Sequence, residues 1–457
     1  MTPMNVAVVG AGYVGLTTSL ALAYVGHEVQ CLDIDAEKVA ALKQGRIPIH
    51  EPFAREMLEL ATSRLRFTTD AAEAIGRAEV IFIAVGTPSG QDGRASMVWV
   101  KAAADMIGRH MTDGHVVVVN KSTVPVGSAN LVEDLVRHSY ALHRGTKLNG
   151  RLGVVSNPEF LREGSAIQDS LYPDRIVLGS SDTRALDTLI RLYRPLLDQA
   201  FPAPEFLPRR SDMSQVPLVR TSVVSSELIK YAANAFLATK ISFANELALL
   251  AEQSGADITE VSRGVGLDKR IGPAFLAAGL GWGGSCFGKD TAALAATARD
   301  YGVDMPITEA AQQVNVRQRE IAISKLQREL KILQGRTVGL LGMAFKPHTD
   351  DLRDSPAVDV ARRLSALGVR VRAHDPQAMT RARRELASMD IDFCESPEAM
   401  ADDADALLLA TEWPEYRSLP WAQLAGRMRM PLLLDGRNFL DRAALESAGF
   451  RYVGFGR

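Results

Sequence analysis

Short, almost wholly apolar runs alternate with longer mixed stretches along most of the chain. Runs over 5–9, 79–85, 115–120 and 152–156 are rich in Val and Ile, the pattern of parallel strands buried on both faces. A helical stretch over 16–25 stops at Gly26, and a strand over 27–33 follows it and ends in Asp33. The alternation lapses and resumes near 336, with strands over 336–341, 369–374, 405–410 and 432–435 and a helix from Ser355-Pro356 to Gly368. Between the two blocks, 221–254 is rich in Ala, Leu, Glu and Lys and has no Gly or Pro, in a chain with 36 Gly and 21 Pro. With Gly255 as its stop it predicts one helix, roughly 50 Å long at 1.5 Å per residue. The class is α/β: two doubly wound Rossmann-like domains joined by a long central helix and an all-α dimerisation region. The expected divisions are 1–205, 206–325 and 326–457.

Bulk properties remove several functions. The chain has 457 residues, a net charge of −2 and no basic block, so nucleic-acid binding is not expected. No apolar run approaches the ~20 residues of a membrane span, and the N-terminus does not read as a signal peptide. Three scattered cysteines make no disulfide framework, which points to the reducing cytoplasm. The eight His show no metal-ligand spacing, so no metal is expected.

Chemistry enters at the strand ends. Gly10-Ala-Gly12-Tyr13-Val14-Gly15 sits between a strand and a helix, and an acid, Asp33, ends the next strand. That context turns a weak motif into a dinucleotide site: glycines for the turn, the close pyrophosphate and the helix packing, and an acid for the ribose hydroxyls. An acid there repels a 2′-phosphate, so the expected cofactor is NAD. Thr87, Thr123, Glu159 and Glu163 follow other strands, where ligands bind in such sheets; each also reads as an ordinary turn hydroxyl or helix-start charge. On the long helix Lys230 and Asn234 share a face with Leu237, Ile241 and Asn245, and the plain alternative is a solvated pair. Downstream, Gly279-Leu-Gly-Trp-Gly-Gly-Ser-Cys286-Phe-Gly-Lys-Asp290 precedes an Ala-rich helix over 291–300. Glycines there let backbone and ligand approach, and a Cys near a helix start and a Lys has its thiolate favoured. A small buried Cys in a tight loop is the alternative. Lys346 and Arg437, at the strand ends of the second block, read as surface charges when taken singly.

In order along the chain stand Gly-Ala-Gly-Tyr-Val-Gly-Leu, Val-Gly-Thr-Pro, Lys-Ser-Thr-Val-Pro-Val-Gly, Asn-Pro-Glu-Phe-Leu-Arg-Glu, Glu-Leu-Ile-Lys-Tyr-Ala-Ala-Asn-Ala-Phe and Gly-Gly-Ser-Cys-Phe-Gly-Lys-Asp. The set covers nearly the whole chain and resembles the nucleotide-sugar 6-dehydrogenases of the UDP-glucose/GDP-mannose dehydrogenase family. Two stretches depart from that pattern: Glu51-Pro52 continues as Phe-Ala where relatives usually have Gly-Leu, and 205–216 looks longer than the family needs. The resemblance implies four-electron oxidation of UDP-glucose to UDP-glucuronate, through a hemithioacetal and a thioester on Cys286. It makes Lys230 and Asn234 stabilisers of the oxyanions and Asp290 an assistant in proton transfer. Thr123 with Glu159 or Glu163 would hold the hydrolytic water; the comparison points to Glu159 and leaves Glu163 in play. It adds Tyr13, Val14, Lys38, Thr87, Thr123, Glu163, Lys289 and Arg353 to the NAD site. It places Glu159, Phe160, Leu161, Lys230, Asn234, Phe275, Gly283, Lys346 and Arg437 around the sugar nucleotide, with Arg270 reaching in from a neighbouring subunit, so that a homodimer or higher oligomer is expected.

Three rival readings remain at this level. A GDP-mannose or other nucleotide-sugar 6-dehydrogenase would use the same residues, although Ser before Cys286 speaks mildly against the N-acetylhexosamine branch. A two-electron hydroxyacid dehydrogenase has a similar layout but no use for Cys286. A catalytically silent nucleotide-binding protein would not need the full set.

Overall fold

In the computed structural model, which describes residues 2–90, 92–148 and 152–457, the chain forms two compact units, Met1–Ala232 and Ala233–Arg457. The first is built on β1 (Asn5–Val9), β2 (Glu28–Leu32), β3 (Leu65–Thr68), β4 (Val80–Ile83), β5 (Val116–Asn120), β6 (Leu152–Ser156), β7 (Ile176–Gly179) and β8 (Leu218–Thr221). Their order is β3-β2-β1-β4-β5-β6-β7-β8. The first six are parallel and doubly wound; β7 turns back antiparallel to β6 through Ser156 and Gly179, and β8 runs parallel to β7. Every residue of β4 and β5 is buried, because helices cover both faces and leave apolar side chains no wet side.

The second unit repeats the plan. Strands β9 (Thr337–Leu341), β10 (Arg370–His374), β11 (Ile391–Phe393), β12 (Ala406–Leu409), β13 (Leu432–Asp435) and β14 (Arg451–Val453) are ordered β11-β10-β9-β12-β13-β14 and all parallel. Its helical part includes Ile258–Gly266, Phe287–Asp300 and Pro306–Leu330. The last of these escaped the sequence reading for a physical reason: its buried face carries Asn315, Gln318, Arg319 and Lys325, which interrupt any apolar stripe.

The long helix runs Val223–Ser254 and passes from the first unit into the second. It begins two residues later than the composition predicts. Thr221 is spent as the last residue of β8, and Ser222 accepts the Ser225 N–H at 3.1 Å in the manner of an N-cap. Two other helices start earlier than predicted. Tyr13–Tyr24 begins inside the glycine motif, and Phe287–Asp300 begins directly after Cys286.

Candidate active site

In the first unit the glycine turn after β1 is shaped by packing and by an opening. A Cβ on Gly15 would sit 1.7 Å from the Gly10 carbonyl oxygen, and Gly10 itself has φ +103°. Both glycines are required by the protein's own backbone. Gly12 has nothing within 4 Å of where a Cβ would be, so the start of helix Tyr13–Tyr24 faces open space. Open N–H groups at a helix start suit a pyrophosphate. Asp33, just past β2, accepts from the Ala11 N–H at 2.7 Å, the Asp35 N–H at 3.0 Å and Lys38 Nζ at 3.0 Å. Burial pushes its carboxyl up, and these donors outweigh burial and hold it below the usual range. An ionised acid with acceptor capacity left on Oδ1 suits ribose hydroxyls. Tyr13 and Val14 are half-buried on the same turn, and Lys38 is fixed by its bond to Asp33.

Beyond β4, β5 and β6 the predicted residues are drawn together within this unit. Thr87 donates its hydroxyl to the Thr123 carbonyl at 2.8 Å. Lys230 Nζ lies 2.8 Å from Glu159 Oε1, with their side chains 4% and 8% exposed. Burial alone would push Glu159 up; Lys230, the Leu161 N–H at 2.7 Å and Lys121 more than reverse it and keep the carboxylate ionised. The Phe160 ring packs under the Arg175 guanidinium at 3.6 Å and faces Lys230 Nζ at 5.6 Å. Glu163 stands half-buried at the end of the same loop.

Three groups here were given no role by the sequence. Lys121 gives its amine to Asn157 Oδ1 at 3.2 Å, and burial pulls it down to about 8, with Glu159 opposing. Glu51 accepts from Gly164 N at 2.7 Å and Ala166 N at 2.6 Å, and so caps the helix after the Glu159 loop. Glu227 accepts from Gly127 N at 2.6 Å and Ala129 N at 3.0 Å, and caps the helix after the Thr123 loop. Glu51 was visible only as part of a variable motif. Glu227 lay in plain view one turn before Lys230.

In the second unit Asp290 is fully buried; it accepts from Asn234 Nδ2 at 2.6 Å and from Lys289 Nζ at 2.6 Å. Its partners in this unit are therefore Asn234 and Lys289. Cys286 is half-buried at the N-cap of helix Phe287–Asp300, and its carbonyl takes the first helical bond, from the Asp290 N–H at 2.8 Å. The positive end of a helix favours the thiolate of a cysteine at its start.

The glycines before it serve a purpose other than ligand approach. A Cβ on Gly279 would lie 2.2 Å from the Gly436 oxygen, and one on Gly283 2.2 Å from the Asp354 oxygen. The loop is pressed onto the turns of the second Rossmann-like sheet. Asn245 of the long helix accepts the Gly279 N–H at 2.8 Å, and Asn315 and Arg319 hold the backbone of Trp282. Arg437 reaches the carbonyls of Gly281 and Ala410 at 2.9 and 2.8 Å, so it is a strut of this loop as well as a candidate ligand. Arg353 is bound by Asp351, and Lys346 Nζ sits 5.5 Å over the Phe345 ring. Phe275 adopts φ +64° and packs edge-on to Phe287. Arg270 is held by Asp268, its side chain 88% exposed. Among the described residues no cluster of ligating side chains could hold a metal, and no helix is long and apolar enough to cross a membrane.

The chain matches the UDP-glucose/GDP-mannose dehydrogenase family in three parts: its NAD binding domain over 4–197, its central domain over 224–317 and its UDP binding domain over 339–442. It is 45% identical to the UDP-glucose 6-dehydrogenase of Pseudomonas aeruginosa over 461 aligned residues, covering 99% of this chain and 98% of that one. The corresponding enzyme of Rhizobium meliloti is 44% identical, covering 99% and 100%. Among solved structures, a UDP-glucose dehydrogenase from the hyperthermophilic archaeon Pyrobaculum islandicum superposes with a TM-score of 0.87 at 40% identity, covering 97% and 96%.

Proposed function

The chain belongs to the UDP-glucose/GDP-mannose dehydrogenase family and is an NAD-dependent oxidoreductase, and on that premise we propose that it takes UDP-glucose to UDP-glucuronate in two oxidations joined by a thioester on Cys286. The observation that carries the covalent step is the cysteine itself. Cys286 heads a helix four residues before a buried, doubly hydrogen-bonded Asp290, an arrangement that a single alcohol oxidation does not require.

NAD, where bound, accepts one hydride in each oxidation. The C6 alcohol first loses a proton and a hydride to give an aldehyde. The Cys286 thiolate adds to that carbonyl carbon, forming a C–S bond and an alkoxide. Loss of the remaining C6 hydride turns this hemithioacetal into a thioester, and water then cleaves the C–S bond, giving the carboxylate and returning the thiol. In sum, one alcohol, two NAD and one water become one carboxylate and two NADH, with three protons released.

Lys230, paired with Glu159, and Asn234, bonded to Asp290, supply donors for the oxygen that becomes negative at each stage. Thr123 with Glu159 or Glu163 orders the hydrolytic water; Glu159→Gln and Glu163→Gln separate the two. The second Rossmann-like domain holds the UDP portion, with Lys346 and Arg437 among its ligands. We assign the division 1–205, 206–325 and 326–457 to NAD domain, dimerisation region and UDP-sugar domain, and place the enzyme in the cytoplasm, where Cys286 stays reduced.

The exposed side of the long helix supports a homodimer. Phe236, Phe243 and Leu250 recur every seven residues at 67%, 50% and 64% exposure, an apolar stripe suited to a second copy. Arg270 would act across that interface.

The test is NADH formed per limiting UDP-glucose. Wild type should give two, and Cys286→Ser should lose sustained turnover. A ratio of one, or a fully active Ser variant, would remove the thioester. Turnover of GDP-mannose and none of UDP-glucose would keep the chemistry and change the substrate.

A further inference from the structure

Asn120 ends β5 with 2% of its surface exposed, and neither its Oδ1 nor its Nδ2 has a hydrogen-bond partner in the protein. A buried carboxamide without partners is unfavourable and uncommon. Asn120 lines a cavity of about 10 Å³, whose polar wall also includes Ser122, Thr123, Ser156, Glu227 and Lys230. That volume is one water site, and a small cavity with several polar groups is wet where an apolar one is dry. Two ends of the neighbouring loop are already tied: Lys121 and Ser122 donate their N–H groups to the Ile83 carbonyl at 3.0 Å, and Gly127 and Ala129 donate theirs to Glu227. Thr123, between the ties, is held through its carbonyl by Thr87, while its other side borders the cavity.

We propose that this cavity is a fixed single-water site, separate from the hydrolytic water, and that Asn120 and Glu227 are positioning residues that act through it on Thr123, Lys230 being held by Glu159. The water donates to Asn120 Oδ1 and to the Glu227 carboxylate and accepts from Asn120 Nδ2, supplying the missing partners. It braces the middle of the Lys121–Gly127 loop from behind. Its effect on turnover rests on the thioester reading above, since Thr123 serves the hydrolytic step there; its presence does not.

Two measurements separate those layers. A high-resolution crystal structure of the wild type should show ordered water density within hydrogen-bond reach of Asn120, whatever the reaction proves to be. An empty cavity overturns the inference. In kinetics, Asn120→Leu fills the space with carbon and should slow thioester hydrolysis about tenfold, the worth of roughly one hydrogen bond. Acyl-enzyme should then build up in intact-mass spectra, with kcat and KM for UDP-glucose falling together and kcat/KM unchanged. Asn120→Ser keeps a hydroxyl and room for the water and should restore hydrolysis; it also stands in if the Leu variant does not fold. Equal hydrolysis rates in wild type and Asn120→Leu, or a Ser variant as slow as Leu, overturn the positioning role. A wild type yielding one NADH per sugar would instead remove the thioester reading and leave the water site standing on its density.

Discussion

At the scale of single residues, the first unit sets two buried carboxylates to different tasks by their surroundings. Glu159 pairs with Lys230 and stays ionised; Glu227 accepts from the backbone N–H groups of Gly127 and Ala129, and burial outweighs them and pushes it up to about 7 against 4.5 in an unfolded chain. Between those values folding takes up a proton at Glu227, so this residue's contribution to stability falls as pH rises from 4.5 to 7. The full swing is at most about 3 kcal/mol. Glu227→Gln removes the titration and keeps one acceptor oxygen for either the Gly127 or the Ala129 N–H. Its melting temperature should vary less than wild type across that window; parallel curves would show that Glu227 is not proton-linked. The sequence pointed to candidate chemical residues more readily than to the residues that hold them in place. Cys286, Lys230 and Asp33 stand in recognisable company, whereas Glu51 and Lys121 are bonded to residues remote in the chain and Asn120 shares a cavity with the equally remote Glu227 and Lys230.

At the scale of elements, glycines of similar appearance in the sequence answer to different demands. Gly12 is bounded by open space, and Gly283 is pinned against the Asp354 backbone. Gly12→Ala should therefore fold with wild-type stability and bind NAD more weakly. Gly283→Ala forces backbone apart, so it should lose roughly 1–3 kcal/mol of stability and displace the Cys286 loop. Denaturation midpoints beside NAD titrations check both; a fully stable Gly283→Ala would mean that the loop yields easily. The strands read from the sequence fell within one or two residues, because β4, β5, β6 and β13 are buried throughout and read as unbroken apolar runs. Short strands mostly towards the sheet edges, β3, β7, β8 and β14, were not read at all. Helix starts were less legible than the strands that were read. The first turn of Tyr13–Tyr24 contains Gly15, read from the motif as a packing glycine, and the predicted helix was started only after it.

At the scale of the whole molecule, the proposed homodimer uses the exposed stripe of the long helix as its interface. Phe243→Asp puts a charge in the middle of it and should yield monomers in sedimentation velocity while leaving each fold intact by circular dichroism. Activity should fall with the dimer if Arg270 works across the interface. A variant that remains dimeric would move the interface elsewhere. The repetition of the Rossmann plan has its own consequence. Asp375 occupies in the second sheet the place of Asp33 in the first, yet it is 1% exposed and already accepts from the N–H groups of Met343, Ala344, Gln377 and Ala378 and from Trp413 Nε1. Nothing of that acid is left to grip a ribose. A census of dinucleotide by equilibrium dialysis should therefore close at one per chain, though the architecture offers two berths; a second equivalent would mean that the inner acid lets go of its own backbone to greet a guest.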